Sequence, residues 1–188
     1  MKVIIISAPS GCGKSTIINA ILAKGEIDME FSISATNRSP REGEAHGVNY
    51  YFLTTEDFRR RIADGEFVEY EEVYPGRYYG TLRSEVDRIL DGGHNCILDI
   101  DVKGALNVKR IYGDRALSIF IMPPSVETLR QRLMSRATDS IEEIERRVAK
   151  ADEEISYAPQ FDVRVVNDNL STAVTEVETA IKNFLAKP

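Results

Sequence analysis

Lys2-Val3-Ile4-Ile5-Ile6-Ser7 runs without a break into Ala8-Pro9-Ser10-Gly11-Cys12-Gly13-Lys14-Ser15. The first stretch is continuous Val/Ile with no polar alternation, which suits a strand covered on both faces. The second fits the spacing of a phosphate-binding loop, with Ala8 in the first position where glycine is commoner. Such a loop converges backbone N–H groups on phosphate oxygens at the positive end of the following helix. Lys14 is spaced to reach the β/γ-phosphates of a nucleotide, and the Ser15 hydroxyl to ligate Mg²⁺. An accidental tight turn is the alternative. It is the weaker reading, because the loop falls between a buried strand and a helix over about Lys14–Ala23 that stops near Gly25.

Working outward, further apolar runs occur at Asn95–Asp99, Ala116–Met122 and Val163–Val166, with a weaker one at Phe31–Ser34. Helical stretches fall between them: Thr81–Asp91 before Gly92-Gly93, Val102–Tyr112 before Gly113, and Ser125–Arg136 after Pro123-Pro124. Ser140-Ile141-Glu142-Glu143 is a capping-box signature opening a helix to about Tyr157, and Ser171 opens a last one. Strand and helix alternating at this spacing predict an α/β fold, a parallel sheet with helices on both faces. The stretch from about Thr36 to Tyr79 breaks the rhythm. Rich in Arg, Glu, Gly and Tyr, with one short helix at Thr55–Ala63, it reads as an insertion carried on the sheet.

Composition narrows the class. The chain has 188 residues, 43% of them hydrophobic, which suits one domain with an ordinary core and excludes bulk disorder. With 24 Lys+Arg against 30 Asp+Glu, a net charge of −6 argues against general nucleic-acid binding, which needs a broad positive field. No apolar run approaches the ~18–20 residues of a membrane helix, and the N-terminal run is too short for a signal peptide. Cys12 and Cys96 cannot build a disulfide framework. The expectation is a cytoplasmic domain with no membrane or nucleic-acid partner, handling any polyanion through locally concentrated arginines.

A carboxylate at the end of a second strand would complete the metal site, and Asp99 stands there, with Asp101 two residues on. The competing reading is that Asp99 caps the next helix. Arg132 and Arg136, four apart on one helix face, and Arg147 in the next helix are candidates to surround a transferring phosphoryl group. The segment Ala137-Thr138-Asp139 between them would be the tip of a closing helical lid. For Arg146 a solvated ion pair with Glu142 is preferred. Arg38 and Arg41, with a stiffening Pro40, form a plausible anion clamp that Tyr50 and Tyr79 could supplement. Glu69, in an apolar strand-like setting, could accept two parallel bonds from the N1/N2 edge of guanine, although most strand glutamates simply face water.

These stretches together resemble the guanylate kinase family over nearly the whole chain. The resemblance is carried by Ser10–Thr16, Phe31–Ser34, Arg38–Glu44, Gly47–Phe52, Glu66–Glu69, Tyr78-Tyr79-Gly80-Thr81, Ile97–Asp101, Pro123-Pro124-Ser125, the Arg132/Arg136/Arg147 spacing and Val166-Asn167-Asp168. It implies transfer of the ATP γ-phosphoryl group to GMP, and to dGMP, with Mg²⁺. The implied fold is a five-stranded parallel P-loop core (about 1–33, 82–125 and 159–188), a GMP-binding insertion (about 34–81) and a helical lid (about 126–158). ATP would be held by Ala8, Pro9, Ser10, Gly11, Cys12, Gly13, Lys14, Ser15 and Thr16, with Asn167 at the adenine. The GMP phosphate would be held by Arg38, Arg41, Tyr50 and Tyr79; Ser34, Glu69, Thr81 and Asp101 would read guanine beside Gly80. Lys14, Arg132, Arg136 and Arg147 would be catalytic, with Ser15 and Asp99, the latter through water, at the metal. Ala8, Asn37 (threonine is usual) and Ala137 (glycine is usual) depart from the pattern. The alternatives are a kinase for another monophosphate and a non-catalytic protein-binding module of the same fold.

Overall fold

β1 (Val3–Ser7) is buried along its whole length, with Val3, Ile4, Ile5 and Ile6 at 0% exposure. The computed structural model describes residues 1–135 and 140–187. After the phosphate loop comes α1 (Lys14–Lys24), which ends at Gly25 in the left-handed conformation (φ 62°) that glycine adopts without strain. β2 (Met29–Phe31), β3 (Ala35–Thr36), β4 (Tyr51–Phe52), α2 (Thr55–Ala63), β5 (Phe67–Tyr74) and β6 (Arg77–Leu82) follow. The chain continues through α3 (Arg83–Asp91), β7 (Asn95–Asp99), α4 (Val102–Tyr112), β8 (Ala116–Met122) and α5 (Val126–Ser135). It closes with α6 (Ile141–Ser156), β9 (Val163–Val166) and α7 (Leu170–Leu185).

The main sheet has five parallel strands in the order β2-β7-β1-β8-β9, which bears out the α/β expectation. Successive side chains of a strand point to opposite faces. Ile4 and Ile6 therefore pack with Ile17, Ile21 and Val177 on one side. Val3 and Ile5 pack with Val86, Leu98, Val108 and Phe120 on the other. The pairing of Ile6 with Asp99 brings the ends of β1 and β7 level, so the phosphate loop and Asp99 emerge side by side. Among the described residues no helix is long and apolar enough to cross a membrane.

The insertion proves richer than its sequence suggested. It is a four-stranded sheet, β4-β3-β6-β5, with a small core of its own around Ala35, Phe58, Phe67 and Leu82. Phe58 and Phe67 stack with ring centroids 4.4 Å apart. Two of its strands are only two residues long, too short to show any alternation. β2 also starts earlier than the apolar run at Phe31–Ser34 and stops short of its end, where the Ile33 N–H turns to the Glu85 carboxylate, 3.1 Å away. Ser140 caps α6 as its sequence predicts, accepting from the Glu143 N–H at 3.2 Å. Arg146 pairs with Glu143 at 2.5 Å, one residue closer in sequence than the expected Glu142. The last helix starts one residue before Ser171, with Asn169 as its cap.

Candidate active site

The phosphate loop is a fitted turn. Gly11 (φ 92°) and Gly13 (φ 83°) occupy left-handed backbone conformations that side chains rarely adopt. A Cβ on Gly11 would lie 2.9 Å from Leu133 Cδ2, and one on Gly13 only 2.6 Å from Asn167 Nδ2. The loop is braced at its turn by the Cys12 N–H donating to the Pro9 carbonyl at 3.2 Å. Burial pushes the Cys12 thiol up to about 12, so it stays protonated and chemically quiet.

Ala8 through Thr16, with Asp99, Ile100, Asp101 and Glu154, line a cavity of about 410 Å³. At its floor Lys14 forms an ion pair with Asp99 and donates to the Ile100 carbonyl at 3.3 Å. The Ser15 hydroxyl donates to Asp99 Oδ2 at 3.4 Å. The hydroxyl and the carboxylate expected at the metal thus meet. The helix-capping role goes to Asp101 instead, whose Oδ1 accepts from the N–H groups of Lys103 (2.7 Å) and Gly104 (3.0 Å).

A second cavity, of about 150 Å³, is lined by Ser34, Tyr50, Glu69, Glu71, Tyr79 and Gly80, and again by Asp99, Ile100 and Asp101. The two cavities share one wall. Within the second, Glu69 is 6% exposed and accepts from the Thr81 hydroxyl at 2.6 Å. Burial, reinforced by the nearby Asp101 charge, pushes the Glu69 carboxyl up to about 7 against these hydrogen bonds. Tyr50 and Tyr79 meet edge to face, centroids 5.9 Å apart. The Arg38 guanidinium lies 5.1 Å from the Tyr50 ring centroid and pairs with both oxygens of Glu44, at 2.6 and 2.7 Å. That pairing, with the Arg41 N–H, holds the Glu44 carboxyl down at about 2. Arg41 lines a neighbouring hollow with Asn37, Arg38 and Arg77 rather than the second cavity.

Arg132 reaches back from α5 to donate to the Asn167 carbonyl at 2.9 Å. Asn167 itself is 6% exposed, with its amide turned to the Cys12 carbonyl. Arg147, on α6, lies 3.7 Å from Glu143. Arg136 and Ala137 lie outside the described residues. The unusual Asn37 donates to Thr55 Oγ1 (2.8 Å) and the Gly76 carbonyl (2.7 Å), and accepts from the Tyr78 N–H (2.8 Å). It thereby ties the β5–β6 turn to the start of α2, beside Arg38.

Sequence reasoning passed over four residues. Gly104 lies so close to the second cavity's floor that a Cβ there would come 2.8 Å from Glu69 Oε2. Glu44 neutralises Arg38, Glu154 reaches the first cavity from α6, and Glu85 joins the two sheets. Glu44 lay within the matched Arg38–Glu44 stretch; the other three offered no local signal.

A phosphate loop whose cavity abuts a second cavity across one strand end, with Arg38 and Arg41 in the hollow beside it, defines a P-loop phosphotransferase. Comparison with known proteins narrows this. The guanylate kinase family model matches residues 1–184. The chain is 59% identical over 186 residues to the guanylate kinase of Porphyromonas gingivalis, covering 99% of each. It is 56% identical over 186 residues to that of Bacteroides thetaiotaomicron, covering 99% of this chain and 91% of the relative. The crystal structure of guanylate kinase from Anaplasma phagocytophilum superposes with a TM-score of 0.76 at 31% identity, over 99% of this chain and 87% of that one. The chain belongs to the guanylate kinase family.

Proposed function

We propose that this chain transfers the γ-phosphoryl group of ATP to GMP, giving ADP and GDP, with ATP in the cavity under the phosphate loop and GMP in the cavity over Glu69. Family membership supports the reaction. The shared wall of Asp99, Ile100 and Asp101 is the observation that supports the assignment of sides, because in-line transfer needs the two phosphates end to end. A GMP phosphate has a second pKa of about 6, so its oxygen is ionised at neutral pH and needs no general base. That oxygen forms a bond to Pγ as the bond from Pγ to the β,γ-bridging oxygen breaks, and the electron pair leaves on ADP.

The chain's part is then positioning and charge. Free backbone N–H groups of the loop, among residues 10–16, and Lys14 hold the donor phosphates. Arg132 and Arg147, with Arg136, neutralise the charge spread over the transferring group. Arg38, Arg41, Tyr50 and Tyr79 hold the acceptor phosphate. Arg38 must exchange Glu44 for it, and Arg41 must swing in from the neighbouring hollow. Glu69, Ser34, Thr81 and Asp101 read guanine, with Gly80 giving the base room, and Asn167 stands near the adenine end. Ser15 and Asp99 fit a Mg²⁺ that takes its other ligands from phosphate and water. They offer hard oxygen donors, and the described residues hold no cluster of three or more metal-ligating His, Cys, Asp or Glu side chains that would enclose a metal without substrate. When bound, Mg²⁺ neutralises phosphate charge. The segments of about 34–81 and 126–158 close over the substrates. Buried free thiols at Cys12 and Cys96 suit a reducing cytoplasm.

The test is ADP release from ATP and Mg²⁺, followed in parallel with GMP, dGMP, AMP, dTMP and UMP. Turnover with GMP and dGMP alone is expected. Activity on another base would overturn the role of Glu69, and silence with every acceptor would overturn the reaction.

A further inference from the structure

Asn167 sits where three parts of the donor side meet. Its main-chain N–H donates to the Met122 carbonyl at 2.8 Å, extending the β8–β9 ladder by one rung and fixing its backbone. Its buried side-chain amide donates to the Cys12 carbonyl at 2.8 Å, across 155 residues of sequence. Its own carbonyl accepts from Arg132 Nη1 at 2.9 Å. Resemblance puts this side chain at the adenine; its amide nitrogen also holds the phosphate loop.

The peptide plane makes that occupation consequential. In a trans peptide the carbonyl of one residue and the N–H of the next point in opposite directions in one plane. Pinning the Cys12 carbonyl to Asn167 therefore fixes the direction of the Gly13 N–H, and Gly13 lines the donor cavity. Gly13 has no Cβ to hold its own conformation, and only its missing Cβ lets the Asn167 amide approach this closely. Within the loop the Cys12 N–H is held by the Pro9 carbonyl, and at the Cys12 carbonyl the bracing comes from outside, from Asn167. The same residue holds the resting guanidinium of Arg132 at the edge of that loop.

We infer that Asn167 is a positioning residue for phosphoryl transfer: its amide sets the orientation of the Cys12–Gly13 peptide toward the donor phosphates, and its carbonyl parks Arg132 within reach of them. This rests on the roles proposed above for the phosphate loop and Arg132. Donor N–H groups aimed at developing charge act chiefly on the rate of the chemical step, so the signature is in kcat rather than in acceptor binding.

The experiment compares Asn167→Ala, Asn167→Asp and Arg132→Ala with the unmodified chain. Steady-state kinetics with GMP are run with ATP or GTP as donor, alongside calorimetric binding of GMP and thermal unfolding. Asn167→Asp keeps the shape but sets a carboxylate oxygen against the Cys12 carbonyl. Both Asn167 variants are expected to lose roughly 10- to 100-fold in kcat. GMP affinity, the KM for GMP and the ATP-to-GTP preference should all stay unchanged, a pattern that mere destabilisation would not give. Full kcat in either folded variant overturns the proposal. So does a collapse of ATP preference with kcat retained, which would make Asn167 an adenine contact, and so does failure of both variants to fold. Full kcat in Arg132→Ala would overturn the role given to Arg132, a separate result from any of these.

Discussion

Glu69 and Thr81 face each other across β5 and β6, the threonine hydroxyl donating to the buried carboxyl at 2.6 Å. The bond leaves one side of the carboxyl for a ligand and orients it toward the second cavity. Replacing it by an amide would set an NH₂ against either the threonine or the guanine N–H edge. Glu69→Gln is expected to lower kcat/KM for GMP by about 10- to 150-fold, the equivalent of ~1.5–3 kcal/mol for a bond to a charged group. AMP should be affected little. An unchanged GMP/AMP ratio in acceptor assays would falsify the guanine-reading role.

The same residue makes both stability and binding depend on pH. Its carboxyl titrates near 7 in the fold, against an ordinary value of 4.5. Between those values the folded chain holds more protons than the unfolded one, so stability falls as pH rises from about 4.5 through 7. The whole contribution is on the order of 3 kcal/mol. Denaturant melts from pH 4.5 to 8 should show Glu69→Gln lacking this part of the slope and gaining on the unmodified chain at the alkaline end. Guanine requires the ionised form, so GMP binding near pH 6.5 should release a proton that Glu69→Gln does not release, measurable by calorimetry in buffers of different ionisation enthalpy.

Lys14 bridges Asp99 and the Ile100 carbonyl at the junction of the two cavities. Methionine has similar length and no charge. Lys14→Met is expected to cut kcat by more than about 10³-fold, while GMP affinity by calorimetry stays near that of the unmodified chain. Equal loss of turnover and GMP binding in folded protein would contradict the donor-side role.

Gly104 lies in the first turn of α4, where alanine favours the helix by about 1 kcal/mol. An added methyl would press on Glu69 Oε2 from 2.8 Å and on Glu69 Cγ from 3.2 Å. The carboxylate is the part that can move. Gly104→Ala should therefore raise the KM for GMP about tenfold, as for one displaced hydrogen bond, with ATP kinetics and Tm preserved or Tm increased. A KM for GMP equal to that of the unmodified chain would show that Glu69 does not need its present position.

Glu85, 3% exposed, accepts from the Ile33 N–H (3.1 Å), the Tyr51 hydroxyl (2.8 Å) and Arg88 Nε (3.0 Å). Those bonds hold its carboxyl below the ordinary range against the opposing cost of burial. Its contribution is complete above pH 4.5 and is lost on acidification through the lower folded value. Glu85→Ala should destabilise the fold by about 2–3 kcal/mol, a fall in Tm of roughly 5–10 °C for a chain of this size. The loss should shrink toward pH 3.

The core was legible because its signals are local. Val3–Ser7 and the glycines after it sit within a dozen residues, and each apolar run had its own stop signal. The same was true of Ser140 ahead of α6. What could not be read was whatever depends on residues distant in sequence. Gly104 looks like an ordinary weak point in a helix until Glu69, from another sheet, is laid against it. Glu85 looks like a solvated helix carboxylate, since nothing nearby announces Ile33 or Tyr51. The two-residue strands of the insertion exist only through their partners, so no periodicity could declare them.

Ile100, between the two carboxylates on the shared wall, has both its polar backbone atoms engaged: its N–H donates to the Ile6 carbonyl at 3.3 Å, and its carbonyl accepts from Lys14. Asp99 and Asp101 are thus held about 7 Å apart along extended chain, one on each side of the donor and acceptor assignment proposed above. On that assignment, the gauge between donor and acceptor is set by covalent bonds that no rearrangement of the flanking segments would alter. Selection can retune either nucleotide's fit from its own side, but a change of backbone at residue 100 alters the reach between both at once.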